Sequence, residues 1–124
     1  ALAEKGGVAG AVLLPAWLTH HGQATLEDYL RAIDYLVNLM GVDHVGLGTD
    51  FMEELPEEIM AAALKGISAE NLKKYYSSKI VEGLESISGC LKVTEGLLGR
   101  GYSRKDVKKI MGGNWMRLYR EVWG

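Results

Sequence analysis

A chain of 124 residues with 48% hydrophobic and 24% charged residues has an ordinary globular composition, long enough for one compact domain and too apolar for a disordered one. Fourteen Lys and Arg against sixteen Asp and Glu leave a net charge of -2 without a long basic run, which argues against nucleic acid or an anionic membrane as partner. Cys90 is the only cysteine, which rules out an intrachain disulfide and a cysteine-built zinc site and fits a reducing, cytoplasmic setting; the longest apolar run, Val8 to Leu14, is too short for a transmembrane segment.

In chain order, Ala1 to Gly7 reads as the last turn of a helix running into its glycine stop, so the chain is expected to begin inside a longer protein. Val8 to Leu14 is apolar on both faces and ends at Pro15, the profile of a strand covered on two sides in a parallel sheet. Ala16 to Ala24 reads as a loop carrying Trp17, His20, His21 and Gly22. Thr25-Leu26-Glu27-Asp28 resembles a capping box with Asp in place of the usual Glu, and Leu26, Leu30, Ile33, Val37 and Met40 follow at helical spacing up to the stop at Gly41. Gly41 to Phe51 then gives a short buried strand, Val45 and Leu47 alternating with Gly46 and Gly48, which delivers Asp50 onto the loop beyond it. Strand, helix and strand make one βαβ unit of an α/β protein with a right-handed crossover expected, and two such strands need further neighbours. Beyond Phe51 the pattern is helical: Pro56 to Gly66, a segment from Ser68 or Ala69 through Leu72 to Tyr76, a less regular stretch from Ile80 to Ile87, then Leu91 to Leu98. A second capping box at Ser103 to Asp106 opens a helix through Val107 and Ile110. Gly112-Gly113-Asn114 is expected to stop that helix and cap the last one, whose stripe is Trp115, Leu118 and Val122.

Three of these segments resemble the renal or membrane dipeptidase-like metallopeptidases. Glu4-Lys5-Gly6-Gly7-Val8 through Pro15-Ala16-Trp17-Leu18 is similar to a late strand of that family. Gly41 to Phe51 resembles its Gly-Ile-Asp-His-Val-Gly-Ile-Gly-Ser-Asp-Phe motif. Thr94 to Ser103 with Ile110-Met111-Gly112-Gly113-Asn114-Trp115-Met116-Arg117 resembles its C-terminal helices. The resemblance implies a (β/α)8 TIM-type barrel of about 250 residues or more, of which this chain would be a single C-terminal portion holding the last two parallel strands and the terminal helices. It also implies a binuclear zinc site that hydrolyses dipeptides, with ligands drawn mostly from earlier strands outside this chain. Residues 52–89 would form a helical insert after the last strand, longer than the family's usual connection.

In a parallel α/β protein chemistry collects at the C-terminal ends of the strands and stability at the N-terminal ends. Asp50 falls at the first kind of end. The resemblance gives the residue there the transfer of a proton from the attacking water to the leaving amine; a lone Asp after a strand otherwise serves as a cap. Trp17 and Phe51 are the substrate-pocket candidates. His44 precedes the strand and belongs at the stability end, while adjacent His20 and His21 are weak metal candidates because neighbouring side chains point apart and a site needs three or four converging ligands. Glu53, Glu54, Glu57 and Glu58 could draw an amine or a metal, but a cluster opening a helix at Pro56 more often simply favours the helix dipole. Gly46-Leu47-Gly48 begins like a dinucleotide fingerprint, but Phe51 stands where its third glycine belongs. Ser77, Ser78, Ser86 and Ser88 have no His-Asp partners and read as loop and cap residues.

The chain is therefore expected to be the C-terminal part of a zinc-dependent dipeptidase-like hydrolase, inactive by itself, with Asp50 as the proton-transfer residue. The rival expectation is a non-catalytic binding or assembly module that uses Ile59, Met60, Leu64 and Tyr75 as a docking surface. Strand edges lacking neighbours favour self-association, so a homo-oligomer is expected.

Overall fold

The computed structural model describes residues 1–19, 23–51, 59, 62, 65, 66, 68 and 81–124. Two parallel strands, β1 (Ala9–Val12) and β2 (Val45–Gly48), pair in the register Ala9 to Val45 and Val12 to Gly48, and among the described residues they form the whole sheet. Between them runs the long helix of the βαβ unit, here α2 (Leu26–Met40), after a single helical turn α1 (Pro15–Leu18). The later helices are α3 (Cys90–Gly99), α4 (Arg104–Lys108) and α5 (Asn114–Trp123).

Helix α2 begins where its sequence says it should. The Thr25 hydroxyl accepts from the Asp28 amide, and the Asp28 carboxylate accepts from the Thr25 amide at 2.8 Å, a complete capping box with the shorter acidic side chain. Gly41 follows its last turn at φ 88, a backbone that L side chains rarely adopt. Tyr29, Leu30 and Ile33 form the buried face of α2 and meet Ala11 of β1, Val45 of β2, and Val93 and Leu97 of α3 in one core completed by Leu84, Val107 and Ile110. Gly96 lets α3 approach closely, since a Cβ there would stand 2.5 Å from a Leu30 methyl. Arg100, just past α3, pairs with both Glu27 and Asp34 of α2, and the Tyr102 hydroxyl donates to Asp34 at 2.8 Å. Burial first, and then that hydrogen bond, push the Tyr102 phenol up to about 12.

Several expectations need correction. The first strand is shorter than Val8 to Leu14. Pro15 opens a helical turn where a loop was expected from Ala16, because its fixed φ and missing N–H suit the first position of a helix. Ala3–Lys5 is a single 3₁₀ turn, and Gly6 at φ 77 ends it as the glycine stop did in the sequence. Gly112-Gly113-Asn114 neither stops one helix cleanly nor caps the next. Lys109–Gly113 is a π-helical passage with Gly112 at φ 153, and Asn114 is already the first residue of α5. Ser103 satisfies only half of the expected box, its hydroxyl accepting from the Asp106 amide at 3.1 Å and donating to the Asp106 carboxylate. Val122 of the predicted apolar stripe is exposed. Most of the expected helices at Pro56 to Gly66 and Ser68 to Tyr76 lies outside the described residues, only 59, 62, 65, 66 and 68 being described, of which Ile59 and Ala62 are helical. Most of the 52–89 segment is likewise outside, and its described end is Val81 and Leu84 in the core, a parallel bridge from Glu82 to Thr25, and a 3₁₀ turn at Ile87–Gly89.

Candidate active site

Parallel pairing in this register brings both strands to an end together, Val12 beside Gly48, so the residues after them emerge on one rim. An open cleft of about 390 Å³ lies there, lined by Val12, Leu14, Trp17, Gly48, Thr49 and Asp50. Asp50 has φ 55, the only described non-glycine residue in the left-handed region, which Asp enters more easily than most residues at a cost of about 1 kcal/mol. That turn presents its exposed carboxylate to the cleft, and among the described residues no hydrogen bond or ion pair takes it. Trp17, on the α1 turn, is 65% exposed and forms part of the wall. Apart from Thr49, the rest of the lining is apolar or bare backbone. Phe51, the second pocket candidate, packs against the hydrophobic core and is not among the lining residues.

His44 lies at the other end of β2. Its Nδ1 is 2.9 Å from the Gly7 carbonyl oxygen, and four strand residues at about 3.3 Å each put roughly 13 Å between it and the cleft. It belongs to a set of side chains that tie down the strand starts. The Asn114 amide, 3% exposed, donates to the carbonyls of Val42 and Val45 at 2.8 and 2.7 Å. Arg117 donates to the Gly6 and Asp43 carbonyls at 3.0 and 3.2 Å, and the Lys109 ammonium meets Asp43 at 2.5 Å, which holds the Asp43 carboxyl below its ordinary range. Sequence reasoning missed Asn114 and Arg117 in these roles. A helix that continues from the preceding turn has little need of a side-chain cap, whereas buried strand carbonyls do need donors.

Among the described residues no three His, Cys, Asp or Glu side chains gather closely enough to hold a metal ion. Asp50 is a single donor, His44 is remote, and His20, His21, Glu53, Glu54, Glu57 and Glu58 lie outside the described residues. Ser86 and Ser88 bond to each other at 2.6 Å, away from any His-Asp pair, and Ser77 and Ser78 are likewise outside. Ile59 of the rival docking surface is exposed, while Met60, Leu64 and Tyr75 are not described. No described helix is long and apolar enough to cross a membrane.

The model of the membrane dipeptidase family, peptidase family M19, matches residues 1–79 and 74–123. The chain belongs to this family. It is 32% identical over 123 residues to "Dipeptidase tcpJ" of Claviceps purpurea, covering 98% of this chain and 23% of that protein. It is 30% identical over 128 residues to an uncharacterized protein in the pqqA 5' region of Klebsiella pneumoniae, covering 99% of this chain and 38% of that one. Among solved structures, an amidohydrolase from Pseudomonas aeruginosa superimposes with a TM-score of 0.77 at 32% identity over 98% of this chain and 38% of its own. The structure of a metallopeptidase of family M19, dipeptidase AC, superimposes at 0.69 with 21% identity, a likeness of fold. The chain thus spans between 23 and 38% of the length of the two curated relatives. The match to the membrane dipeptidase family spans residues 1–123, and a metallopeptidase family implies a metal.

Proposed function

We propose that this M19 segment is the C-terminal part of a zinc-dependent dipeptidase built on a (β/α)8 barrel, and that Asp50 is its proton carrier. One observation supports the reading above others. A carboxylate without a partner among the described residues stands in an apolar cleft at the joint C-terminal end of two parallel strands, where barrel enzymes keep their chemistry. Residues 1–124 are then one portion of that barrel, and 52–89 an insert on its catalytic rim.

The described residues supply too few donors for a metal site. Zinc held by other residues of the parent protein would activate water for attack. Asp50 does the rest of the proton work. As the water oxygen adds to the peptide carbonyl carbon, an Asp50 oxygen takes the water's proton; as the C–N bond breaks, the same oxygen returns it to the departing amine nitrogen, and two amino acids leave. The Trp17 wall and the Val12 and Leu14 side chains suit an apolar substrate side chain.

The test uses the full-length protein. Metal-loaded enzyme is expected to cleave dipeptides, to lose that activity to a chelator and to regain it with zinc; a loaded protein that leaves dipeptides intact overturns the reading. The barrel assignment has its own check. The isolated 124-residue chain, with one edge of each strand unpaired among the described residues, is expected to self-associate or to lose its near-UV dichroism, and a monomer with a sharp two-state transition would count against it.

A further inference from the structure

The two faces of the β1–β2 pair are filled from different sources. Ala11 and Val45 turn toward α2 and are buried with Tyr29 and Ile33. On the other face stand Gly10 and Gly46, register partners without side chains, and the indole of Trp115 from α5 lies across both. A Cβ on Gly46 would come within 2.3 Å of the indole nitrogen, and one on Gly10 within 3.3 Å of Cζ2. The next residues along that face, one step toward the strand ends, are Val12 and Gly48, and both line the cleft. The ring therefore occupies the layer directly beneath the cleft. In a barrel interior that layer is normally filled by bulky side chains of the strands themselves.

Trp115 also grips the strand. Its Nε1–H donates to the Leu47 carbonyl at 2.9 Å, three residues before Asp50. Asn114 and Arg117 hold the strand starts, at the carbonyls of Val42, Val45, Gly6 and Asp43. Among the described side chains, Trp115 alone reaches a carbonyl in the last half of β2. The Gly48 backbone also meets the Tyr29 hydroxyl, and Thr49 and Asp50 follow with no side-chain hydrogen bond among the described residues to fix them.

We propose that Trp115 is a positioning residue for Asp50: the terminal helix inserts it in the layer beneath the cleft, where its ring fills the glycine layer and its N–H sets the Leu47–Gly48 peptide from which the Asp50 turn departs. This rests on the reading of Asp50 as proton carrier. A support of this kind acts on the placement of the carboxylate and leaves the binding walls, Trp17 and Leu14, in place.

The experiment compares the full-length enzyme with Trp115→Phe and with 3-benzothienylalanine at position 115, which keeps the bicyclic shape and loses only the N–H. Metal-loaded kinetics are read beside amide hydrogen exchange. Both variants are expected to exchange faster by about tenfold at residues 47–51 with α2 unchanged, and to lose about tenfold in kcat with KM within about twofold. Wild-type exchange at 47–51 in the folded benzothienyl variant overturns the grip. Faster exchange with unchanged kcat overturns the positioning role and leaves a structural one. The Asp50 reading fails separately: if Asp50→Asn keeps normal turnover, the proton carrier is elsewhere, whatever position 115 does to exchange.

Discussion

The two ends of the same pair of strands are treated in opposite ways. At the starting end, the carbonyls of Gly6, Gly7, Val42, Asp43 and Val45 are engaged by Arg117, His44 and Asn114, and Lys109 pairs with Asp43. At the finishing end, Asp50 stands exposed in a left-handed turn with no partner among the described residues. The difference follows from what each group costs. A buried carbonyl left without a donor costs about 1–3 kcal/mol, so the starting end must be satisfied, whereas a carboxylate in an open cleft is satisfied by water and can stay available for reaction. On the proposed role of Asp50, stability and chemistry are separated along strands only four residues long.

The sharpest way to break that separation is to exchange one group at each end. In the full-length enzyme Asp50→Asn keeps the size of the side chain and removes its ability to carry a proton. The expected outcome is a fall in kcat of about two to four orders of magnitude with metal content and unfolding midpoint near those of wild type. His44→Asn should do the reverse, costing about 1 kcal/mol of stability through the lost bond to Gly7 with little change in turnover per folded molecule. Loss of metal from His44→Asn together with normal turnover in Asp50→Asn would show that the ends had been assigned backwards.

Asn114 gives the next largest effect and belongs wholly to the starting end. Removing its amide by Asn114→Ala frees two strand carbonyls, one of them in a buried bond, and opens a small void under β2. About 2–4 kcal/mol of stability should go, read from urea unfolding. Asn114→Asp should be at least as damaging, because it aims a carboxylate oxygen at carbonyls that need donors. If the aspartate variant were as stable as wild type, the two bonds would not be holding β2.

Much of this division was legible in the sequence. Asp50 after Gly46-Leu47-Gly48, and His44 before Val45, fall at opposite ends of any strand that includes Val45 and Leu47, so their separation follows from the period of a strand. The α2 capping box and the Gly41 stop were readable because caps are local chemistry, decided by residues three apart. What escaped was non-local. Asn114 followed two glycines and so looked like a cap, and nothing near it in the chain announces Val42 and Val45, some seventy residues earlier, as its acceptors. The place of Trp115 does leave a trace in the sequence: alternate glycines on a strand mark a face on which something large must lie. Pro15 was read as the end of a strand and is equally the start of a turn.

Acid offers the gentlest probe, because each end carries one carboxyl held below its ordinary range. Asp28 sits at the start of α2, on the cleft side of the βαβ unit; its pKa is lowered first by the Thr25 hydroxyl, then by the Thr25 amide and by Arg31. Asp43, at the starting end, is lowered chiefly by Lys109. A carboxyl whose folded pKa lies below its unfolded value of about 4 contributes stability that is complete above that value and is lost as pH falls through the folded pKa. Unfolding midpoints in urea, measured from pH 7 down to pH 2, should therefore decline for wild type below about pH 4. The two contributions differ in shielding: the Asp28 side chain is 10% exposed and that of Asp43 60%, where water and salt weaken an ion pair. Asp28→Asn is expected to remove about 1 kcal/mol at pH 7, the worth of a helix cap, and to cost almost nothing at pH 2, so that its profile is the flatter. Asp43→Asn should flatten the profile less and lose its effect in high salt. A larger flattening from Asp43→Asn would place the acid-sensitive anchor at the strand starts, and the starting end would then owe its strength to charge, with the carbonyl bonds of Asn114 and Arg117 secondary.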